Sequence, residues 1–343
     1  MTRTHRILIL LATVLVLAGV AIGVTLHAAG RAAEKDRPRA GGPAVHPGEV
    51  TLDAPGRSVF RNMAWGPHRD EVASVPTADP TGARTSSGVR CLRFHAAAGT
   101  GICLQSVRNG LRDDYRAVLL DAHLRELRRY DLAGIPTRAR VSPDGRAAAW
   151  TVFVSGDSYA GTAFSTRTSV LDTRTGELDG DLETYRFLLD GRQHRAADIN
   201  VWGVTFADAR HFYATVATGG RTYLVDGDRT ARTLRALHEN VECPSLSPDG
   251  TRIAYKKRVE GAPADAPWRL YVLDLHTMRE TATAERRNVD DQAVWQDAHT
   301  LVYSLPGDFG SDLWTVAADG SGRSRLLMKA ALAPAFAAPA PRP

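Results

Sequence analysis

The chain is poor in cysteine, with three in 343 residues. None of them forms a C-x-x-C pair or sits in a His/Cys cluster, which argues against a zinc site. Lysine is almost missing: only four of the 43 basic residues are Lys. The catalytic signatures are missing too. There is no G-x-S-x-G elbow to seat a hydrolase nucleophile. There is no phosphate-binding P-loop, no G-x-G-x-x-G opening a helix and no H-E-x-x-H. Asp-rich calcium loops of the EF-hand type are also absent. The sequence therefore calls for no cofactor, no metal and no catalytic residue. An excess of charge in the body is lacking as well. The net charge is +5, but residues 1–40 carry +4 and Arg342 adds one more, so residues 41–341 are neutral. A neutral body has no electrostatic footprint for nucleic acid.

What is present begins with an apolar run. Ile7 to Leu26 is uncharged over 20 residues and as a helix would rise about 30 Å, the thickness of a bilayer core. Arg3, His5 and Arg6 precede it. No Cys follows, which argues against a lipoprotein anchor. The length predicts an uncleaved single-pass anchor, with the body outside the cytoplasm. The small residues Ala28, Ala29 and Gly30 leave cleavage and secretion as the alternative. Four regions follow: an anchor or signal over 1–30, a flexible Ala/Arg/Gly/Pro linker over 31–48, a folded domain over 49–330, and a disordered Ala/Pro tail over 331–343. An extracytoplasmic body permits a disulfide. Cys91 and Cys103 flank a predicted hairpin and are the candidate pair; three reduced, buried thiols are the alternative.

Internal repeats decide the fold class. Ser142-Pro143-Asp144-Gly145 and Ser247-Pro248-Asp249-Gly250 each join an apolar segment to an alternating strand. Pro fixes φ, Asp can bond its own backbone, and Gly tolerates positive φ. Weaker copies precede Glu71, His211 and Thr300, and Gly99–Ser106 is a degenerate sixth. A strand ending in Asp follows each later hairpin, at Asp121, Asp172, Asp226 and Asp274, with Asp319 as the looser last copy. Taking Glu71, Ile102, Ala147, His211, Ile253 and Leu301 as equivalent, the mean spacing is about 46, in the range of propeller blades. The expectation is an all-β, six-bladed β-propeller with four-stranded blades, preceded by one transmembrane helix. The first spacing is short. The longest is attributed to an insertion at 155–167. Tyr115–His123 aligns with Trp268–His276, so Leu111–Tyr130 is read as strands despite its helical spacing.

These motifs resemble the TolB-type, WD40-like propeller family over about residues 50–330. The layout is similar to membrane-anchored TolB-like proteins of actinobacteria. The resemblance implies a propeller, and either protein partners, as in the Tol system, or service beside a peptidase domain. The chain lacks the α/β domain preceding the propeller in TolB and lacks a C-terminal hydrolase domain.

Counting back from each turn Asp reaches the channel mouth. The matching pairs are Arg61/Asn62, Thr137/Arg138, Val201/Trp202, Glu242/Cys243 and Asp290/Asp291. Four of the five carry charge where a buried strand would be apolar. The candidate binding residues are Arg61, Asn62, Arg138, Trp202, Glu242, Asp290 and Asp291, with Tyr159 and Phe164 on the 155–167 loop. The leading expectation is a non-enzymatic tether that binds an envelope protein or peptide at the mouth or through that loop. The alternative is a hydrolase or lyase acting on a sugar or lactone with carboxylates Glu242, Asp290 and Asp291, assisted by His194 and His238. A structural or sensor ectodomain is the third reading.

Overall fold

A computed structural model describes residues 3–109, 112–154 and 165–336. The repeat turns explain themselves atom by atom. Ser142 Oγ donates to Asp144 at 2.6 Å and accepts the Ala147 N–H at 2.9 Å; Asp144 also accepts the Arg146 N–H. Ser247 and Asp249 repeat the pattern with Arg252 and Thr251. Gly145 and Gly250 take φ of 72° and 73°, where a side chain would be strained. Asp208 and Asp297 do the same work in the weaker copies, each accepting two backbone N–H groups. The second turn of blades 2, 3, 5 and 6 is also tied by one Asp, through Asp121, Asp172, Asp274 and Asp319. In the fourth unit that residue is Asp228, not Asp226, because the strand runs on from Arg221 to Asp228.

Six blades form a ring. Blades 2, 3, 5 and 6 have four strands each. From the axis outward, blade 2 comprises Arg93–Ala97, Thr100–Asn109, Arg112–Leu120 and Glu126–Leu132. The segment with helical spacing is thus two strands. Blade 4 is widened to six strands by Arg186–Leu189 and Arg192–His194, which add to its outer edge. This hairpin, and not only the 155–164 connection, accounts for the longest repeat spacing. Blade 1 is built from both ends of the chain. Ala331–Phe336 is its innermost strand and pairs antiparallel with Arg57–Asn62. Glu71–Pro76 and Arg84–Arg90 follow, and Val45–Pro47 adds parallel to the outer edge.

Three expectations change accordingly. The tail does not begin at 331: six of its residues close the ring, with Ala331 and Ala335 buried. Small side chains suit a strand crowded against the axis, and that composition also reads as low complexity. The linker is not free along its length, since the helix runs to Lys35 and a strand forms at Val45–Pro47. The short first spacing came from matching Glu71, on the third strand of its blade, to residues on second strands. Arg57 and Thr100 begin equivalent strands 43 residues apart.

One apolar cluster fills each blade interface, for example Ile102 and Leu119 against Trp150 and Leu171 between blades 2 and 3. Phe60 and Val75 meet Val302 and Leu313 between blades 1 and 6, completing the circle. Cys91 and Cys103 form a disulfide, with a Cα–Cα distance of 5.3 Å, at the entry to blade 2. The helix Arg3–Lys35 stands outside the ring. Its Thr4–His27 stretch is long and apolar enough to cross a membrane and is wholly unburied. That is the signature of a membrane anchor or a signal sequence.

Two measurements check this architecture. Truncation after Ala330 exposes the edge of Arg57–Asn62 and uncovers blade 6, so the melting transition should fall by more than 10 °C or vanish; truncation after Phe336 should leave it in place. The second concerns Glu183, in the turn between blades 3 and 4. It accepts the Thr166 hydroxyl at 2.9 Å and the Thr168 N–H at 3.1 Å. Burial nevertheless raises its carboxyl from an ordinary value of 4.5 to about 7. The folded state therefore holds this proton more tightly than the unfolded one. The stability it contributes is full below pH 4.5 and lost as pH rises through about 7. Glu183→Gln should flatten the fall in urea midpoint between pH 5 and 8; parallel profiles would contradict the assignment.

Candidate functional site

Strand direction sets where the site can lie. All inner strands begin on one face of the ring, here called the entry face. Second strands run the opposite way, so the turns between second and third strands open on that face too. Between blades 3, 4 and 5 these elements enclose a cavity of about 950 Å³. That volume is at the upper end for sites holding drug-sized ligands.

Its walls are aromatic. Trp202 comes from the inner strand of blade 4, Trp268 from the third strand of blade 5, and Phe153 from the end of the second strand of blade 3. Lys256 and Arg258 approach the Trp268 ring at 4.4 and 4.6 Å from its centroid. Lys256 is nearly buried and lies 3.4 Å from Glu242 while also bonding Asp290. Burial opposes its charge, but Cys243, Glu242 and Asp290 outweigh it and the ammonium is held protonated beyond the usual range. Burial raises the Glu242 carboxyl, with Lys256 pulling the other way.

The floor is cationic. Arg93 and Arg138 each stand 3.9 Å from opposite oxygens of Asp291. Asp291 also accepts the Ser304 hydroxyl at 2.9 Å and the Gln292 N–H at 2.8 Å. Its burial favours the neutral acid, yet the two guanidinium groups win and hold the carboxyl below its ordinary value. Arg140 lies just beneath, at a smaller void shared with His95 and Gln292. Burial lowers its guanidinium to about 10, and its Nε is buried with no hydrogen-bond partner. Arg93 and Arg138 thus share one carboxylate, while Arg140 meets His95 at 3.1 Å and the Ala293 carbonyl at 3.4 Å. Arg138 Nε lies 3.4 Å from Cys243 Sγ. Cys243 takes a φ of 51°, its N–H donating to Thr215 at 3.0 Å. Gly203 is required beside it, since a Cβ there would stand 2.8 Å from the Cys243 Cα.

Of the residues singled out by counting, Arg138, Trp202, Glu242 and Asp290 line one cavity, and Asp291 lies beneath it. Arg61 and Asn62 do not reach it. They sit on the second strand of blade 1, behind Ala331–Phe336. Arg61 bonds Asp70 and the Leu92 carbonyl, and the fully buried Asn62 receives Arg84 at 2.6 Å. Both side chains are taken up by hydrogen bonds within the fold. Tyr159 and Phe164 lie outside the described residues. His194 bonds Thr218 on the outer part of blade 4, and His238 pairs with Glu280 at 3.0 Å; neither lines the cavity. Counting along inner strands missed Lys256, Arg258 and Trp268, which come from second and third strands. Lys256-Lys257 was the available signal, because it holds half the lysines of the chain. Among the described residues, no three His, Cys, Asp or Glu side chains group as metal ligands.

Lys256→Met leaves Glu242 without its cation in a mostly buried place. It should cost about 3 kcal/mol of unfolding free energy. Adding Glu242→Gln should recover part of this in urea melts; no recovery would contradict the pairing.

Several solved structures share the fold. TolB from Acinetobacter baumannii superposes with a TM-score of 0.55 at 19% identity, over 82% of this chain and 66% of that one. The Nidogen/Laminin complex gives 0.53 at 9%, over 81% and 97%. A puromycin-hydrolyzing peptidase from Mycobacterium tuberculosis gives 0.50 at 16%, over 85% and 47%. The chain thus spans just under two thirds of TolB and less than half of the peptidase. No protein-family model and no curated protein matches it. At these identities the likeness is one of fold: a TolB-like six-bladed propeller.

Proposed function

We propose that this protein is a membrane-tethered, extracytoplasmic binding module that takes a peptide segment of an envelope protein into the entry-face cavity. The observation that carries the reading is the pairing of aromatic walls with an incompletely matched cationic floor. Trp202 and Trp268 offer flat apolar area at little entropy cost. Arg93 and Arg138 share Asp291 at distances too long for hydrogen bonds. A carboxylate from the peptide would supply the hydrogen bonds that Asp291 does not. The segment we favour is therefore acidic, with an apolar or aromatic neighbour.

The similarity in fold to TolB, and the N-terminal helix, support a tethered binder. The peptidase likeness supports an enzyme no more strongly, since that chain is more than twice as long as the part matched. The carboxylates invoked for hydrolase or lyase chemistry are already engaged as ion-pair partners: Glu242 and Asp290 with Lys256, Asp291 with Arg93 and Arg138.

The test is quantitative capture from solubilised membranes by the full chain in detergent, followed by titration with peptides from the captured protein. Trp202→Ala or Trp268→Ala should each cost about 2 kcal/mol, roughly a 30-fold loss of affinity. Unchanged affinity in both would move the site away from the cavity.

A further inference from the structure

The segment after the N-terminal helix does not hang free. The Lys35 carbonyl accepts the Gly66 N–H at 2.9 Å. Asp36 lies 3.5 Å from Arg69. The Arg39 guanidinium lies against both Trp65 and Phe309, at 5.0 and 5.7 Å from the two ring centroids, and donates to the Asp308 carbonyl at 3.1 Å. Val45 then packs into a small apolar cluster with Met63, Trp65 and Phe309.

These contacts fall in two turns. Residues 63–70 join the second and third strands of blade 1, and 306–311 join those of blade 6. Turns of that kind open on the entry face, which is also the face of the cavity. From there Val45–Pro47 lies along the outer edge of blade 1, parallel to Arg84–Arg90, and the chain passes on to blade 2, where the Leu52 N–H meets the Ala122 carbonyl. The helix therefore leaves the ring from the face that carries the cavity.

We infer that this docked segment holds the propeller with its cavity mouth turned toward the membrane, so that the peptide it takes is a membrane-proximal segment of another membrane-anchored protein. The apolar stretch ends at His27 and the docking begins at Lys35. The seven helical residues between, spanning eight rises from His27 to Lys35, would hold the entry face about 12 Å from the bilayer surface. A gap of that depth admits the stalk of a neighbour in the same membrane and disfavours a bulky soluble partner. The identity of the occupant rests on the function proposed above; the orientation does not.

The orientation can be read directly. Ala264 lies on the entry-face loop of blade 5, and His276 in an opposite-face turn of the same blade, both exposed. They stand about 23 Å apart, one strand length. Full-length Ala264→Cys and His276→Cys proteins are labelled with a donor dye and reconstituted in vesicles carrying a headgroup acceptor. Cys91 and Cys103 are bonded and Cys243 is buried, so the new thiol takes the dye. Transfer from position 264 should exceed that from 276 at least two-fold. Equal or reversed efficiencies overturn the orientation while leaving peptide capture unaffected, which separates its failure from that of the binding reading. Arg39→Ala with Trp65→Ala should bring the two efficiencies together; a difference that persists overturns the role of the docked segment. Capture of a peptide only from a soluble partner overturns the choice of occupant.

Discussion

Everything in this molecule depends on one long-range pairing, between the strand Ala331–Phe336 and Arg57–Asn62. A six-bladed ring has no outer scaffold to hold it shut. Each blade is stabilised by its two neighbours, so an unclosed ring leaves the inter-blade faces of blades 1 and 6 in water. Pairing the two ends of the chain inside one blade removes that edge. It also joins blade 6 to blade 1 through Phe60, Val75, Val302 and Leu313. The cost is loop-closure entropy across nearly the whole chain, which grows only slowly with length. The return is that no blade can separate without breaking a second interface.

Closure also determines where function can sit. Because the last strand occupies the axis side of blade 1, Arg61 and Asn62 are withdrawn from the channel and become internal ties. The channel mouth is left to blades 2 to 6. The cavity of about 950 Å³ falls between blades 3, 4 and 5, across the ring from the turns that the end of the N-terminal helix meets. The end of the N-terminal helix and the cavity thus share a face without obstructing each other. The charges at the mouth are mostly matched in pairs, which keeps the body neutral. The exception is the floor, where Arg93 and Arg138 both face the single carboxylate of Asp291.

The sequence was most legible where structure is local. Ser-Pro-Asp-Gly is readable because its hydrogen bonds span five residues, and the strand-ending Asp because its carboxylate accepts backbone N–H groups two to four residues on. Blade count and strand class follow from those turns. The closing strand was not legible. Its partner lies some 270 residues away, and an Ala/Pro-rich segment suited to a crowded axis has the composition of a disordered tail. That one omission propagated: it put Arg61 and Asn62 at the mouth and shortened the first repeat. The cavity was half legible. Inner-strand residues such as Trp202 and Glu242 could be counted from the turns. Lys256 and Trp268 were missed because the count ran back along inner strands only, and these two reach the site from the second and third strands of blade 5.

Native-state hydrogen exchange on the full-length protein tests the closing strand most directly. The account predicts that the amides of 331–336 that pair with the neighbouring strand exchange as slowly as those of Ile135–Val141 and Asn200–Phe206 in other inner strands, opening only with global unfolding. Exchange within seconds, as for a free chain end, would mean that the ring is not closed by its C-terminal strand, and the positions of cavity and N-terminal helix on the ring would lose their basis.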